Sequence, residues 1–353
     1  MTADLNHISA WKYSLPQDLI AVRPAQNRDD ARLMVIDRAS GSIEHHTIRD
    51  LPELLPSGDR LIFNNTKVIP ARLFGYRTAT NGRWEGLYLN ESHDGLWRIT
   101  GQTRGKLQPG ENLTIHPPDR STPELCLTLE EQLEDGSWTV RPDLQRDPLE
   151  LLSQFGSLPL PPYIGRSVAD ENDQNRYQTV FGDRPGAIAA PTAGLHFTES
   201  LLDSITDRGI HRSQVTLHVG IGTFRPVSTE QLSEHKMHSE WCEVSEHTAT
   251  DISETKARGS RIIAVGTTCV RTLESAAASG TPTAFRGSTN LFIRTGFRFQ
   301  VVDQLLTNFH LPGSTLIVLV GAFAGHELTM QAYHMAVEKR YRFYSYGDAM
   351  LIR

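Results

Sequence analysis

The sequence predicts an α/β fold in which a larger α/β domain with a mixed sheet is interrupted by a smaller antiparallel β-barrel domain. Three observations predict it. Strand and helix patterns alternate in the second half of the chain, short alternating strands crowd residues 75–145, and 353 residues is enough for about two domains with cores. Arg32-Leu-Met-Val-Ile-Asp37 reads as a strand, Gly41 turns the chain into a second extended segment, and Arg60–Phe63 is another strand. In the insertion, the runs Leu87–Leu89, Leu96–Ile99, Leu113–Ile115, Leu125–Leu129 and Trp138–Val140 are separated by turn signals at Asp94-Gly95, Pro109-Gly110 and Asp135-Gly136. Asp147 as N-cap, Pro148 in the first helical position and Gly156 past the end frame a short helix leaving the barrel, and Leu158–Ile164 is an extended connector. The domains are therefore drawn at residues 1–74 with 146–353, and at residues 75–145.

Beyond the connector the rhythm is strand, helix, strand: Ala187–Ala190, Thr198–Gly209, then Gln214–Val219. Leu201, Leu202 and Ile205 share one helical face and Gly209 supplies the stop. The unit recurs as Arg261–Val265 leading into Thr268–Ser275, and again as an apolar helix capped by Ser314.

Composition excludes several classes. Hydrophobic residues at 39% and charged residues at 22% argue against disorder, and a net charge of −6 argues against a protein that coats nucleic acid with bulk positive charge. Cys126, Cys242 and Cys269 are far apart and odd in number, which points away from a disulfide framework and toward a reducing compartment. The N-terminus has no basic region followed by an apolar run, and Leu316–Ala324 is well short of the ~20 residues of a membrane span, so a cytoplasmic protein is expected.

Several segments carry candidate chemistry. Pro191-Thr-Ala-Gly-Leu-His-Phe197 sits at an expected strand-to-helix loop, where α/β sheets bind ligands; a tight turn with a capping histidine would read the same. Leu217-His-Val-Gly-Ile-Gly-Thr-Phe224 has a Gly-x-Gly without the third glycine, and Pro226 opposes immediate entry into a helix. A glycine-lined pocket wall fits better than a dinucleotide loop. His235 and His238, one turn apart if helical, and Glu240 suggest a metal site with little specificity, since neutral histidines serve equally as donors or proton carriers. Gly266-Thr-Thr-Cys-Val-Arg271 puts two hydroxyls and free N–H groups at a helix start, with Arg271 and Glu274 spaced to face one side or simply to form an ion pair. Thr307-Asn-Phe-His-Leu-Pro-Gly-Ser-Thr315 suits a heterocycle or a capped loop. Tyr341–Met350 offers aromatic faces beside Arg340 and Arg342, or core packing for a last strand.

The order and wording of these segments resemble the S-adenosylmethionine:tRNA ribosyltransferase-isomerase family of queuosine biosynthesis. Phe63-Asn-Asn-Thr-Lys-Val-Ile-Pro-Ala-Arg-Leu73, Pro159–Ile164, Arg176–Val180, Ala189–Thr198, Leu217–Phe224, Gly266-Thr-Thr268, Arg271–Ser275, Thr307–Pro312 and Tyr346–Ile352 are similar to its patterns, over nearly the whole chain. Lys67 stands where arginine is expected, Arg294-Thr295 replaces a common Pro-Gly approach, and Gly313 replaces a usual lysine, taking a cation out of that loop. The resemblance implies transfer and isomerisation of the ribosyl portion of S-adenosylmethionine onto 7-aminomethyl-7-deazaguanine at the tRNA wobble position. Epoxyqueuosine results, adenine and methionine leave, and no metal or bound cofactor takes part.

Removing a proton beside a sulfonium and protonating a departing adenine both suit histidine, so the expected catalytic residues are His196 and His218. Thr192, Gly194, Gly220 and Gly222 are expected to shape the donor pocket, and Thr267, Thr268 and Arg271 to hold a carboxylate. Further substrate contacts are expected from Asn64, Asn65, Thr66, Arg72, Thr223, His235, His238, Glu240, Glu274, Asn308, His310 and Asp348. Expected partners are S-adenosylmethionine and the anticodon stem-loop of the tRNA, with the chain a monomer or weak dimer that binds no membrane. Competing readings are a conventional methyltransferase, for which the acidic Gly-x-Gly-x-Gly fingerprint is missing, a non-catalytic RNA-binding module, and a metal hydrolase.

Overall fold

The computed structural model describes residues 4–166, 169–224, 227, 229–277, 280 and 282–353, leaving out the side chains of Glu171, Thr223 and Phe224. Its strands are β1 Arg32–Ile36, β2 Ile43–Thr47, β3 Arg60–Asn64, β4 Thr66–Val68, β5 Arg72–Arg77, β6 Arg83–Glu91, β7 Trp97–Thr103, β8 Asn112–Ile115, β9 Leu125–Gln132, β10 Trp138–Pro142, β11 Gly156–Ser157, β12 Arg184–Ala187, β13 His211–Leu217, β14 Glu240–Val244, β15 Ile262–Val265, β16 Phe285–Thr289, β17 Gln304–Asn308 and β18 Ala349–Ile352. The helices are α1 Leu51–Leu54, α2 Pro148–Phe155, α3 Glu171–Arg176, α4 Glu199–Asp207, α5 Glu246–Ala257, α6 Thr267–Ala276, α7 Thr315–Ala324 and α8 His326–Glu338. Two compact units result, residues 1–67 with 176–353, and residues 68–175.

In the smaller unit the sheet runs β5-β6-β7-β10-β9-β8 and returns to β5, closing six antiparallel strands into the expected barrel. β5 is shared along its length: Leu73 pairs with Gly156 of β11, while Gly75 pairs with Ile115 of β8. The alternation in β6, β7, β9 and β10 points Trp84, Trp97, Leu127 and Val140 into the closed core. α2 starts as its sequence requires, with the Asp147 carboxylate accepting from the N–H groups of Leu149 and Glu150. The barrel expected at 75–145 thus gains β5, α2 and the connector, because β5 and β11 are bonded to each other and β5 to two barrel strands.

The larger unit is built on a nine-stranded mixed sheet in the order β16-β14-β13-β3-β15-β17-β18-β1-β2. Its central strands are apolar runs because both faces are covered. Alternate residues serve opposite layers: Met34, Ile62, Ala264 and Leu305 pack with α6, α7 and α8, whereas Leu33, Leu61, Ile263 and Leu306 pack with α4. α4, α6 and α7 lie where the sequence places them, and the Ser314 hydroxyl caps α7 by accepting from the Ile317 N–H. No single described helix is long and apolar enough to cross a membrane.

One expected element is displaced. Ala187–Ala190 is not the first strand of a βαβ unit in this sheet; β12 ends at Ala187 and pairs with β4. Ile188 donates one hydrogen bond to the Val219 carbonyl at 2.8 Å, and Pro185 and Pro191 at the two ends bring no donor for a ladder. The parallel neighbour of β13 is instead β3, from the N-terminal segment.

Candidate active site

β13, β3, β15 and β17 are mutually parallel, so the loops leaving their C-terminal ends share one edge of the sheet. After β15, Gly266 adopts a φ of +93°, a conformation that favours glycine, and turns the chain directly into α6. An enclosed cavity of about 70 Å³ forms there. Its walls are Pro191, Thr192 and Ala193, Val219 beyond β13, Gly266, Thr267, Thr268 and Arg271, then Thr307, Asn308 and His310, with Tyr177, Tyr344 and Ser345. It shares Glu240, Arg271, Leu316 and Tyr344 with a wider cleft of about 560 Å³, whose other walls include Gly222, Glu234–His238 and Leu311–Thr315. That cleft falls within the ~300–1,000 Å³ of ordinary small-molecule sites. The stretches around residues 191, 217 and 266 therefore do meet.

The electrostatic centre is an ion pair. Arg271 donates to Glu240, both nearly buried, and the other Glu240 oxygen accepts from the Gly220 N–H at 2.9 Å. Arg271 also donates from Nε to the Leu291 carbonyl at 3.1 Å. Two oxygens at the cavity, Thr268 Oγ1 and Asn308 Oδ1, are buried with no well-formed hydrogen bond, Asn308 lying beside the buried His196 ring and Thr268 beside the Cys269 thiol. The Asn308 amide donates to the Tyr344 carbonyl at 2.9 Å, so its oxygen is held in place. His310 lies 3.1 Å from Thr307 Oγ1 through Nε2, and burial pushes its pKa down to about 3.

Neither expected catalytic histidine lines the cavity or the cleft. His196 is buried at the end of the 192–196 turn, where burial pushes its pKa down to about 4 against the opposing effect of Asp348. His218 follows β13 with its ring stacked on Trp241 at 5.0 Å and its Nδ1 2.8 Å from Thr66 Oγ1. Gly186 lies over that ring: a Cβ there would come within 2.8 Å of Nε2. Burial, then the nearby Arg184, lowers the His218 pKa. The histidines that do face the two spaces are His310, His235 and His238. His235 packs its edge on Phe292 at 5.4 Å, and its pKa is lowered by burial and then by His238. The 235–238 segment is not helical, so the one-turn spacing imagined for a metal pair does not arise. Among the described residues no three His, Cys, Asp or Glu side chains gather as a metal site.

Other expected contact residues are engaged within the fold. Glu274 turns away from Arg271 and accepts from the N–H groups of Gln300, Val301 and Val302 at 2.8, 3.1 and 3.0 Å. Asp348 binds Arg32 at 3.0 Å and the Arg342 N–H at 2.8 Å. Asn64 extends the β3–β13 pairing by accepting from the Leu217 N–H and donating to its carbonyl, each at 3.0 Å. Asn65 accepts from the Thr216 hydroxyl at 2.7 Å. Gly194 packs under Thr179 and Phe181, Arg72 is paired with Glu85 inside the smaller unit, and the side chain of Thr223 is outside the described residues. Gly313 has a φ of +68° that disfavours a larger residue, and the stem of Lys12 lies against it.

Tyr177, Tyr344 and Ser345 in the cavity wall are not among the expected contacts, although Tyr344 and Ser345 lie in the aromatic Tyr341–Met350 segment singled out from the sequence.

A family described as queuosine biosynthesis protein matches residues 8–352. Curated relatives named S-adenosylmethionine:tRNA ribosyltransferase-isomerase are 44% identical over 98% of this chain and 99% of the relative in Halothermothrix orenii, and 46% over the same shares in Symbiobacterium thermophilum. A crystal structure of an S-adenosylmethionine tRNA ribosyltransferase from Thermotoga maritima is 36% identical, covering 98% of this chain and 100% of that one with a TM-score of 0.56. With its fold, its strand-end cleft and its full-length match in agreement, the chain belongs to the queuosine biosynthesis family of S-adenosylmethionine:tRNA ribosyltransferase-isomerases.

Proposed function

We propose that the enclosed cavity and the cleft beside it are where S-adenosylmethionine meets the modified base of tRNA. The reaction is transfer and isomerisation of the ribosyl moiety onto 7-aminomethyl-7-deazaguanine at the wobble position, giving epoxyqueuosine-tRNA with release of adenine and methionine. The observation that carries the site assignment is the convergence of the loops after β13, β15 and β17 on one cavity that opens beside a wider cleft.

Residue roles follow from position. The first N–H groups of α6 with Thr267 and Thr268 suit the carboxylate of the methionine portion, since a helix start favours an anion. Arg271 is occupied by Glu240, so it shapes the wall and leaves carboxylate binding to the helix start. Glu240 is neutralised by Arg271, so the Glu234 carboxylate at the cleft is the charge that favours a sulfonium cation. His235 and His238 reach the same space and are the proton carriers of this reading; His310, Asn308 and Thr268 orient the heterocycle by hydrogen bonds. His196 stands behind the 192–196 turn as a positioning residue.

The chemistry needs proton transfer and a stabilised leaving group, so no metal or bound cofactor is included. Val22 and Leu149 are the exposed large apolar residues among those described, which leaves little surface for an obligate interface and favours a monomer or weak dimer acting in the cytoplasm.

The test uses chelator-treated protein, tRNA carrying the aminomethyl-deazaguanine, and S-adenosylmethionine labelled in the ribose or in the methyl group. Ribose label is expected in the RNA and methyl label in free methionine. Methyl label in the RNA would overturn the reaction, and activity restored only by added metal would overturn the cofactor-free reading.

A further inference from the structure

The chain carries a net charge of −6, yet one face of the larger unit gathers guanidinium groups. Arg342 donates to the Arg23 carbonyl, Arg176 to the carbonyls of Gln26 and Ala25 at 2.9 and 2.8 Å, and Arg32 to the Lys339 carbonyl at 3.0 Å. Carbonyls orient a guanidinium without cancelling its charge. Like charges are close enough to be felt: the Arg28 pKa is lowered by burial and then by Arg176, and the Arg342 pKa by burial and by Arg32 against the opposing effect of Asp348. The acids of this region are already engaged, Asp348 with Arg32, Asp18 with Arg340, and Asp29 and Asp30 with Arg49. The Arg340–Asp18 pair is largely exposed, the kind of contact worth little and easily exchanged for another anion.

This positive face is joined to the cavity by one short segment. Tyr341 and Phe343 pack inward onto Phe309, at 5.3 and 5.2 Å, whereas Arg340 is exposed and Arg342 and Tyr344 are only partly buried. Tyr344 lines both the cavity and the cleft and holds a φ of +77°, a strained conformation for a bulky residue that is kept mainly at functional sites. Arg340 and Tyr344 are four residues apart, a span of at most roughly 14 Å even for fully extended chain, so a phosphate on Arg340 or Arg342 lies near any base held against Tyr344.

We propose that Arg340, Arg342 and Arg176 form the dock for the single-stranded RNA backbone beside the modified nucleotide, and that Tyr344 is the aromatic face against which its base turns into the cavity. The proposal rests on tRNA being the substrate. Single-stranded loops are recognised in this way, with unstacked bases on aromatic rings and phosphates on arginine.

The test measures affinity of the full-length protein for the aminomethyl-deazaguanine tRNA as a function of salt, together with KM for that tRNA and binding of labelled S-adenosylmethionine. Arg340→Gln and Arg342→Gln should each weaken tRNA binding several-fold, lower the salt slope by roughly 0.7–1 and raise KM, with S-adenosylmethionine affinity unchanged. Tyr344→Ala should lower kcat while keeping the salt slope, and Tyr344→Phe should retain both. Arg258→Gln, at the C-terminal cap of α5, serves as the control of unchanged slope. Arg340 is exposed, so its variant is expected to fold. Wild-type turnover with slope and KM unmoved in both arginine variants would overturn the dock alone. Wild-type protein that neither binds nor modifies this tRNA would overturn the reaction reading and the dock with it.

Discussion

Arg271 and Glu240 form a buried ion pair across 31 positions of sequence, joining α6 to the first residue of β14, and the free Glu240 oxygen holds the Gly220 N–H. The wall between cavity and cleft is therefore fixed by charge as well as by packing. Removing one partner leaves the other charge buried without compensation, which typically costs about 3–5 kcal/mol. Glu240→Ala should lower stability by that order in denaturant titration and weaken S-adenosylmethionine binding as the Gly220 loop is released. Unchanged stability would show that the pair is solvated and does not hold the wall.

A second prediction concerns pH. Burial holds the imidazoles of His196 and His310 at about 4 and about 3, below the ordinary value near 6.5. The unfolded chain takes up these protons first as pH falls, so stability is full above pH ~6.5 and is lost on acidification toward pH ~4 and below. The slope reaches at most roughly 1.4 kcal/mol per pH unit for each imidazole. Denaturant midpoints compared at neutral and mildly acidic pH should fall in the wild type and fall less in His310→Gln. Equal slopes for the two proteins would mean that His310 is not buried as a neutral ring.

The layered sheet, the closed barrel and four of the helices, α2, α4, α6 and α7, are legible because they rest on local periodicity and capping: Asp147 before Pro148, Ser314 before an apolar run, alternating strands between Gly-containing turns. The site was legible as a set of loops and less so as a set of side chains. Arg271 was matched with Glu274 because helical neighbours are visible in sequence, whereas its true partner arrives on another strand. His196 and His218 are titratable residues in glycine-rich loops, but which way His196 leaves its short 3₁₀ turn follows no period, and the slot that holds His218 is built by Trp241 and Gly186 from elsewhere in the chain. For Tyr341–Met350 the sequence leaves two readings open, aromatic faces beside Arg340 and Arg342 or core packing, and the structure divides the segment between them, with Tyr341, Phe343 and Tyr346 buried and Tyr344 at the cavity.

Glu274 provides a third prediction. Its carboxylate accepts three consecutive N–H groups of the 300–302 segment, and hydrogen bonds to a charged group are worth about 1.5–3 kcal/mol. Glu274→Ala should destabilise the larger unit and speed amide hydrogen exchange at Gln300, Val301 and Val302, while the KM for S-adenosylmethionine stays close to that of the wild type. A large rise in KM without faster exchange would return Glu274 to the substrate site.

The fourth prediction separates the histidines by the space they face. His235 and His238 border the cleft, while His196 and His218 are packed behind its walls. Loss of a positioned proton carrier costs about 10²–10⁴ in rate, so single-turnover kinetics of His238→Ala or His235→Ala should show a fall of that order, with the matching limb of the kcat/KM pH profile lost. His196→Asn and His218→Asn act through packing, and their expected signature is a stability loss of about 1–3 kcal/mol with the shape of the pH profile retained. For His218 the cause is specific, because asparagine cannot fill the slot between Trp241 and Gly186 or keep the 2.8 Å contact to Thr66 in the same plane. If His196→Asn or His218→Asn removed a limb of the profile at unchanged stability while both cleft variants kept theirs, proton transfer would have to run through the buried rings, and the cleft histidines would be left with binding alone.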